Sequence, residues 1–107
     1  MTTPYDTAQP ERTAVDALTG TVALEFGTDW CGHCRAAIPH IGAALAEQPA
    51  VRHLKVEDGP GRPLGHSFRV KLWPTLVVLK DGKEVARVVR PLDAAEVREA
   101  LAKAAAA

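Results

Sequence analysis

Four short runs of β-favouring residues alternate with stretches of helical periodicity along the chain. The runs occupy residues 21–26 (TVALEF), 51–56 (VRHLKV), 74–79 (PTLVVL) and 84–89 (EVARVV). Each run predicts a strand, and the nearly continuous apolar character of the third is typical of a central strand. After the first strand, Ile38, Ile41 and Leu45 recur at helical spacing and predict a helix, which Pro39 should kink.

Turn and capping residues predict the connection between the last two strands and the start of the last helix. Asp81 and Gly82 separate the third and fourth runs, and this dipeptide predicts a tight antiparallel hairpin. Asp93 and Glu96 stand at capping-box spacing and predict the start of a last helix. The apolar face of that helix carries Val97, Ala100, Leu101 and Ala104. Two shorter helices are expected at residues 11–18 and 64–68. The resulting order, α, β, α, β, α, β, β, α, predicts an α/β fold.

Length and composition narrow the class of protein. A chain of 107 residues predicts a single domain over 1–107, with 1–20 as a variable N-terminal segment. Thirteen basic residues balance thirteen acidic ones, so neither a nucleic acid nor an anionic membrane surface is an expected partner. The N-terminal stretch lacks the apolar core of a signal peptide, and no apolar run approaches the length of a membrane span. We therefore expect a cytoplasmic protein.

Cys31 and Cys34 are the two cysteines of the chain, and they lie three positions apart. The cytoplasm keeps thiols reduced, so this spacing predicts a catalytic or metal-binding pair in preference to a structural disulfide. Free amides at a helix start favour the thiolate of Cys31, and Cys34, one turn deeper, is placed to attack a mixed disulfide formed there. The alternative is half of a zinc site, although no second C-x-x-C is present and His40 is predicted on another helix face.

Four features together resemble the thioredoxin family over most of the chain. They are the WCGHC motif, Pro39 five residues after its second thiol, the WPT sequence that contains Pro74, and the KDG turn before the last strand. The resemblance implies a thioredoxin-like fold, with a central mixed β-sheet flanked by helices on both faces. It also implies disulfide exchange in which Cys31 is the nucleophile and Cys34 the resolving thiol, the pair cycling through a redox disulfide.

The resemblance further implies a groove beside the thiols in which an extended substrate chain docks. The family has a cis-proline at the position of Pro74, and a strand-initiating proline is the alternative. Trp73 replaces a smaller aliphatic residue and Arg90 replaces a glycine, so the groove is expected to be bulkier and more positive. Gly27 replaces a tryptophan of the family. The expected substrate-binding residues are Trp30, Gly32, Trp73, Pro74, Thr75 and Arg90.

Glu25 interrupts the first apolar strand, where the family usually has a buried aspartate near the resolving thiol. Burial disfavours the charged form of a carboxyl group, so Glu25 is predicted to take the proton of Cys34 as that thiol attacks. A solvated carboxylate at a strand end is the alternative. His53 falls where the family often has a lysine paired to this acid, and an ordinary surface histidine is the alternative.

His33 lies between the cysteines, as in protein disulfide isomerases, where thioredoxins proper have proline. A nearby imidazole favours the thiolate, and hence the reduced form, which makes the disulfide a stronger oxidant. His33 is therefore expected to contribute to catalysis by setting the redox potential of the dithiol. An exposed imidazole without influence on the thiols is the alternative.

The leading functional prediction is an enzyme, a thiol–disulfide oxidoreductase that reduces protein disulfides through a mixed disulfide. We expect a monomer that needs no cofactor and receives electrons from a thioredoxin reductase or another thiol donor. An oxidase or isomerase stays open because of His33, and so does a binding module or assembly chaperone in which the thiols are secondary. A metal or iron–sulfur site shared across a dimer is the third class.

Overall fold

The computed structural model describes residues 3–107, in which helices and strands follow the predicted order. They are α1 (Arg12–Asp16), β1 (Thr21–Gly27), α2 (Gly32–Ala46), β2 (Arg52–Glu57), α3 (Pro63–Ser67), β3 (Thr75–Lys80), β4 (Lys83–Val89) and α4 (Ala94–Ala106). The strands differ from their predicted bounds by no more than one residue at either end. The predicted α/β class is confirmed. Within residues 3–107, no helix has the length and apolarity that crossing a bilayer requires.

The strands form one mixed sheet in the order β2-β1-β3-β4. β1 and β2 are parallel and are joined through α2, whereas β3 is antiparallel to both of its neighbours. The N-terminal segment extends the sheet beyond β2, where Asp6 forms a parallel bridge with Val56. The backbone of Asp6 bonds the carbonyl of Lys55 at 2.8 Å and the amide of Glu57 at 2.9 Å. This pairing covers the outer edge of β2 and holds the N-terminal segment beside the sheet.

Helices cover the sheet on both faces, as the resemblance implies. α2 and α4 pack on one face, where the buried side chains include Ile41, Leu76, Val78, Val97 and Leu101. α1 and α3 pack on the other face, where the buried side chains include Val15, Phe26, Leu64, Val77 and Leu79. β3 is therefore buried on both sides, which explains its continuous run of apolar residues.

The predicted capping residues stabilise the start of α4. Asp93 is the N-cap, and its carboxylate accepts a hydrogen bond from the amide of Glu96 at 3.0 Å. The Glu96 carboxylate bonds the amide of Leu92, one residue before the N-cap, at 2.5 Å. Both carboxylates satisfy amides that the helix itself leaves without a partner, and they fix the direction in which the chain enters α4.

The turn between β3 and β4 needs glycine at position 82. Asp81 has a φ of 49° and Gly82 a φ of 80°, which is the pattern of a type I′ turn. The turn also lies against the end of α1, because a Cβ at Gly82 would come within 1.9 Å of the carbonyl oxygen of Asp16. Any larger residue would therefore strain the backbone and displace α1.

We expect Gly82→Ala to destabilise the protein by more than about 1 kcal/mol, because the native φ is unfavourable for alanine and the Cβ has no space. Gly42→Ala is the matched control, since Gly42 is exposed within α2 and nothing lies within 4 Å of an added Cβ. The control should gain about 0.5–1 kcal/mol from the better helix propensity of alanine. Thermal unfolding followed by circular dichroism measures both changes. A Gly82→Ala protein as stable as the wild type would contradict this account of the turn.

Candidate active site

The two thiols occupy different environments at the start of α2. Cys31 is the N-cap of the helix, and its sulfur accepts a hydrogen bond from the amide of Cys34 at 3.3 Å. Cys31 is 8% exposed, whereas Cys34 is completely buried one turn deeper. Both are free thiols. A substrate disulfide can therefore approach only Cys31, where unpaired helix amides stabilise negative charge.

Burial raises the pKa of the Cys34 thiol to about 12. The neighbouring Cys31 acts in the same direction, while the Thr28 backbone and the nearby Tyr5 hydroxyl lower the pKa. The net result is a thiol that is almost entirely protonated at neutral pH. Its attack on a mixed disulfide therefore needs a nearby group that accepts the proton.

Glu25 lies on β1 and is 1% exposed, on the face that α2 covers. Its Oε2 accepts a hydrogen bond from the Tyr5 hydroxyl, and its Oε1 lies 2.8 Å from Nε2 of His53. Glu25 is thus buried, as predicted, and the alternative of a solvated carboxylate is wrong. The contact with His53 decides a pairing that the sequence left open. Among residues 3–107, no hydrogen bond joins Glu25 directly to Cys34.

Tyr5 reaches this site from the N-terminal segment, and the sequence analysis missed it. Its side chain is buried, with the hydroxyl next to both Glu25 and Cys34. The space exists because residue 27 is glycine, where a Cβ would lie 2.6 Å from the Cys34 sulfur and 2.7 Å from the Tyr5 hydroxyl. Gly27 in place of a family tryptophan is the available signal that another side chain fills this position.

Two tryptophans form a wall beside the thiols. Trp73 packs against Cys31 and Cys34, and its indole Nε1 donates to Asp58 at 2.9 Å. Trp30 meets Trp73 edge to face, with 5.9 Å between the ring centroids, and is 73% exposed. An exposed aromatic surface next to a reactive sulfur is suited to hold an apolar part of a substrate.

The start of β3 and the residue after β4 carry further groove residues. A cis peptide bond joins Trp73 to Pro74, and the adjacent Thr75 is buried with its hydroxyl donating to the carbonyl of Leu72 at 2.7 Å. Arg90 has a φ of 49°, a left-handed conformation that suits the glycine usual in the family. Its Nε donates to the Trp73 carbonyl at 2.8 Å. The Arg90 side chain is thus held against the loop before β3.

Gly32 and His33 are the first two residues of α2, and both are exposed. A Cβ at Gly32 would meet nothing within 4 Å, so the surface next to Cys31 is open on this side. The structure thus places His33 in the first turn of α2, two residues after Cys31, without burying it.

The surroundings of the thiols contain few metal-binding groups. In the part of the chain that the structure describes, no three His, Cys, Asp or Glu side chains come together in a group that could hold a metal ion. Cys34 is instead surrounded by the Thr28 amide, the Tyr5 hydroxyl and Cys31. The zinc-site alternative therefore gains no support from the described residues.

An accessible thiol at a helix N-terminus, with a buried second thiol three residues later and an aromatic groove beside it, is the site of a thiol–disulfide oxidoreductase of the thioredoxin fold. The family model named Thioredoxin matches residues 7–103, and the chain belongs to this family. The predicted thioredoxin-like fold and the predicted oxidoreductase class are both confirmed.

Several thioredoxins match most of this chain. Thioredoxin from Chlamydia trachomatis is 41% identical over 80 residues, which are 74% of this chain and 78% of that protein. The structure of thioredoxin 2 from Pseudomonas aeruginosa PAO1 in its reduced form is 54% identical and has a TM-score of 0.88 over the whole of both chains. A thioredoxin from Nicotiana alata is 29% identical, with a TM-score of 0.71 over 86% of this chain and 79% of that one.

At neutral pH, we expect iodoacetamide to modify Cys31 and leave Cys34 intact. Only Cys31 reaches the surface, and the raised pKa keeps the second thiol protonated and unreactive. Peptide mass mapping after brief labelling of the reduced protein identifies the modified sulfur. As a control, labelling in guanidinium should modify both cysteines equally. Preferential labelling of Cys34 in the folded protein would show that the two thiols are assigned the wrong way round.

Proposed function

We propose that this protein is a protein-disulfide reductase that works through the Cys31–Cys34 dithiol. The observation that carries the proposal is the unequal exposure of the two thiols, one at the surface and one buried directly behind it. An accessible sulfur can meet a disulfide on a large substrate, whereas a buried sulfur can react only with its neighbour. This difference supports a reaction in two steps.

In the first step, the Cys31 thiolate attacks one sulfur of the substrate disulfide. A mixed disulfide forms, and the other substrate sulfur leaves as a thiolate. In the second step, Cys34 loses its proton and its sulfur attacks Cys31, so that the Cys31–Cys34 bond forms as the mixed disulfide breaks. The substrate leaves as its second thiolate, and two electrons have passed from the dithiol to the substrate.

Glu25 is proposed to receive the proton that Cys34 loses in the second step. Its carboxylate is buried in the same cluster as the thiol, and His53, against its Oε1, has a side chain that is 30% exposed. A base held within reach of a protonated nucleophile accelerates the reaction by removing the proton during the attack.

An extended segment of a protein substrate is proposed to dock along the groove beside Cys31. Two exposed apolar side chains, Leu72 and Leu92, lie next to Trp73 and close to Arg90 in the sequence. Apolar contact and one guanidinium favour a polypeptide as substrate. The proposed docking residues are Trp30, Gly32, Trp73, Pro74, Thr75 and Arg90.

The direction of electron flow separates a reductase from an oxidase or isomerase. A role in binding alone is not favoured, because it would leave the buried Cys34 without a use. Equilibration of the dithiol with glutathione measures the reduction potential. A value near that of thioredoxin, about −270 mV, would support the reductase, whereas a value near that of protein disulfide isomerase, about −180 mV, would overturn it.

A thioredoxin reductase or another thiol donor is proposed to return the disulfide to the dithiol. The reaction needs a compartment that keeps thiols reduced, such as the cytoplasm. The two sulfur atoms of one chain carry both electrons, so a monomer without a bound cofactor is sufficient for this chemistry.

Cys34→Ser should accumulate mixed disulfides between Cys31 and substrate proteins, because the resolving attack is removed. Cys31→Ser should trap almost none, since the buried Cys34 cannot reach a substrate. Non-reducing electrophoresis after incubation with an oxidised protein such as insulin, followed by mass spectrometry, measures the trapped species. The reverse pattern would assign the nucleophile to Cys34.

His33→Pro should make the couple more reducing, because an imidazole beside the thiols stabilises the thiolate of the reduced form and not the disulfide. Each tenfold loss of this stabilisation lowers the potential by about 30 mV for a two-electron couple. The glutathione equilibrium of both proteins measures the shift. His40→Asn, further along α2, is the control and should leave the potential unchanged. An unaltered potential in His33→Pro would remove this imidazole from the mechanism.

A further inference from the structure

No hydrogen bond joins Cys34 to Glu25 among residues 3–107, because the two oxygens of the buried carboxylate bond other side chains, those of Tyr5 and His53. We propose that the Tyr5 hydroxyl relays the proton of Cys34, accepting it from the thiol while giving its own proton to Glu25. The N-terminal segment then forms part of the active site. The inference rests on the proposed function for the step it serves, the resolving attack of Cys34.

The Tyr5 hydroxyl adjoins both groups that must exchange the proton. It donates a hydrogen bond to Oε2 of Glu25, and it lies beside the Cys34 sulfur in the same buried cluster. The hydroxyl and the sulfur border the same small space at Gly27, where an added Cβ would lie 2.7 Å from one and 2.6 Å from the other. A residue larger than glycine would push the two apart, so the chain has the one residue type that allows this approach.

Contacts along the N-terminal segment hold Tyr5 in place. Its amide donates to Oδ1 of Asp29 at 3.0 Å, and the next residue, Asp6, pairs with β2 through two backbone hydrogen bonds. The Nζ of Lys55 lies 4.5 Å from the centre of the tyrosine ring. Because the side chain is buried, bulk water does not compete for the hydroxyl.

Glu25 has a route to solvent through its other oxygen. Its Oε1 lies 2.8 Å from Nε2 of His53, whose side chain is partly exposed. Both residues line a cleft of about 230 Å³ together with Ile38 and Ile41 of α2. A proton that reaches Glu25 can therefore leave the site on this partly exposed side.

The transfer balances without another reactant. As Cys34 attacks Cys31, its S–H proton moves to the Tyr5 oxygen, and the tyrosine O–H proton moves to Oε2 of Glu25. Glu25 becomes a neutral acid, the electron pair of Cys34 forms the new S–S bond, and the substrate sulfur leaves as a thiolate. Burial and the adjacent Glu25 raise the pKa of Tyr5 above its usual range. A tyrosinate intermediate is therefore unfavourable, and the two proton transfers occur together.

The charged and titratable groups around Tyr5 determine how the rate loss in a variant without the relay depends on pH. They lie on the N-terminal segment, on β1 and β2, and at the start of α2, and they are Tyr5, Glu25, Asp29, Cys31, Cys34, His53 and Lys55. The relay supplies a base where hydroxide is scarce. Its loss should therefore matter most at low pH and least at high pH.

A two-phase reaction with a small aromatic disulfide separates the resolving attack of Cys34 from the first attack by Cys31. Reduced protein releases one coloured thiolate when Cys31 attacks and a second when Cys34 resolves the mixed disulfide. Tyr5→Phe keeps the ring and removes only the hydroxyl. We expect an unchanged first phase and a second phase about 100-fold slower at neutral pH, the lower end of the range for positioned proton transfer. The difference in second-phase rate between the variant and the wild type should shrink as the pH rises towards about 9, because hydroxide then takes the proton of Cys34 in place of the relay.

Two further variants separate the relay from a structural effect. Glu25→Gln should also slow the second phase, and the double variant with Tyr5→Phe should be no slower than the slower single variant, since both changes interrupt one path. Gln9→Ala is the structural control. Gln9 ties the N-terminal segment to the carbonyl of Glu57 at 2.8 Å and to the amide of Leu64 at 3.1 Å. Its loss should lower the thermal midpoint and leave the second phase unchanged.

A Tyr5→Phe protein that resolves at the wild-type rate across the pH range would overturn the relay. A double variant in which the two losses multiply would do the same, and so would an equal loss in Gln9→Ala, because the effect would then come from a loosened segment. Failure of the proposed function gives a different result. Both phases would then appear with the small disulfide, but protein disulfides would not be reduced.

Discussion

Glu25 is a carboxylate buried between the sheet and α2, and the structure around the thiols depends on the groups that hydrogen-bond its two oxygens. Leaving a buried charge without its partner costs about 3–5 kcal/mol, so each oxygen needs a hydrogen bond that folding itself supplies. The two partners come from separate parts of the chain, Tyr5 in the N-terminal segment and His53 on β2. The contacts that make the buried carboxylate tolerable therefore also hold the N-terminal segment and the outer strand around the active site.

The two cysteines belong to one short motif and have opposite environments. Cys31, as the N-cap of α2, is 8% exposed and faces the free amides of the first turn. One turn later, the helix carries Cys34 against the sheet, where burial raises its pKa to about 12. A single helical turn thus makes one of two identical side chains accessible and keeps the other protonated, the asymmetry that a two-step exchange requires.

Trp73 and Arg90 differ from the residues usual in the family's groove, and these two residues contact each other. Arg90 takes a left-handed conformation that costs a non-glycine residue about 1–2 kcal/mol. Its Nε hydrogen bond to the carbonyl of Trp73 contributes about 1.5–3 kcal/mol in return, the range for a charged donor, and its amide bonds the carbonyl of Pro74 at 2.9 Å. The larger side chains at 73 and 90 therefore contact each other beside the thiols, which glycine and a small aliphatic residue at these positions could not do.

The sequence by itself determined the strands, the hairpin turn, the helix start and the thiol pair, because periodicity, backbone preferences and capping act between residues close together in the chain. The thioredoxin motifs, with Glu25 and His53 at family positions, indicated most of the site. Only the tertiary structure decided that Tyr5 lies against Glu25. Tyr5 lies 20 residues from Glu25 in sequence, and no local pattern encodes a contact made through pairing of the N-terminal segment with β2. Gly27 signalled an empty space, but which side chain fills that space depends on how distant segments pack, since burial is a property of the assembled fold.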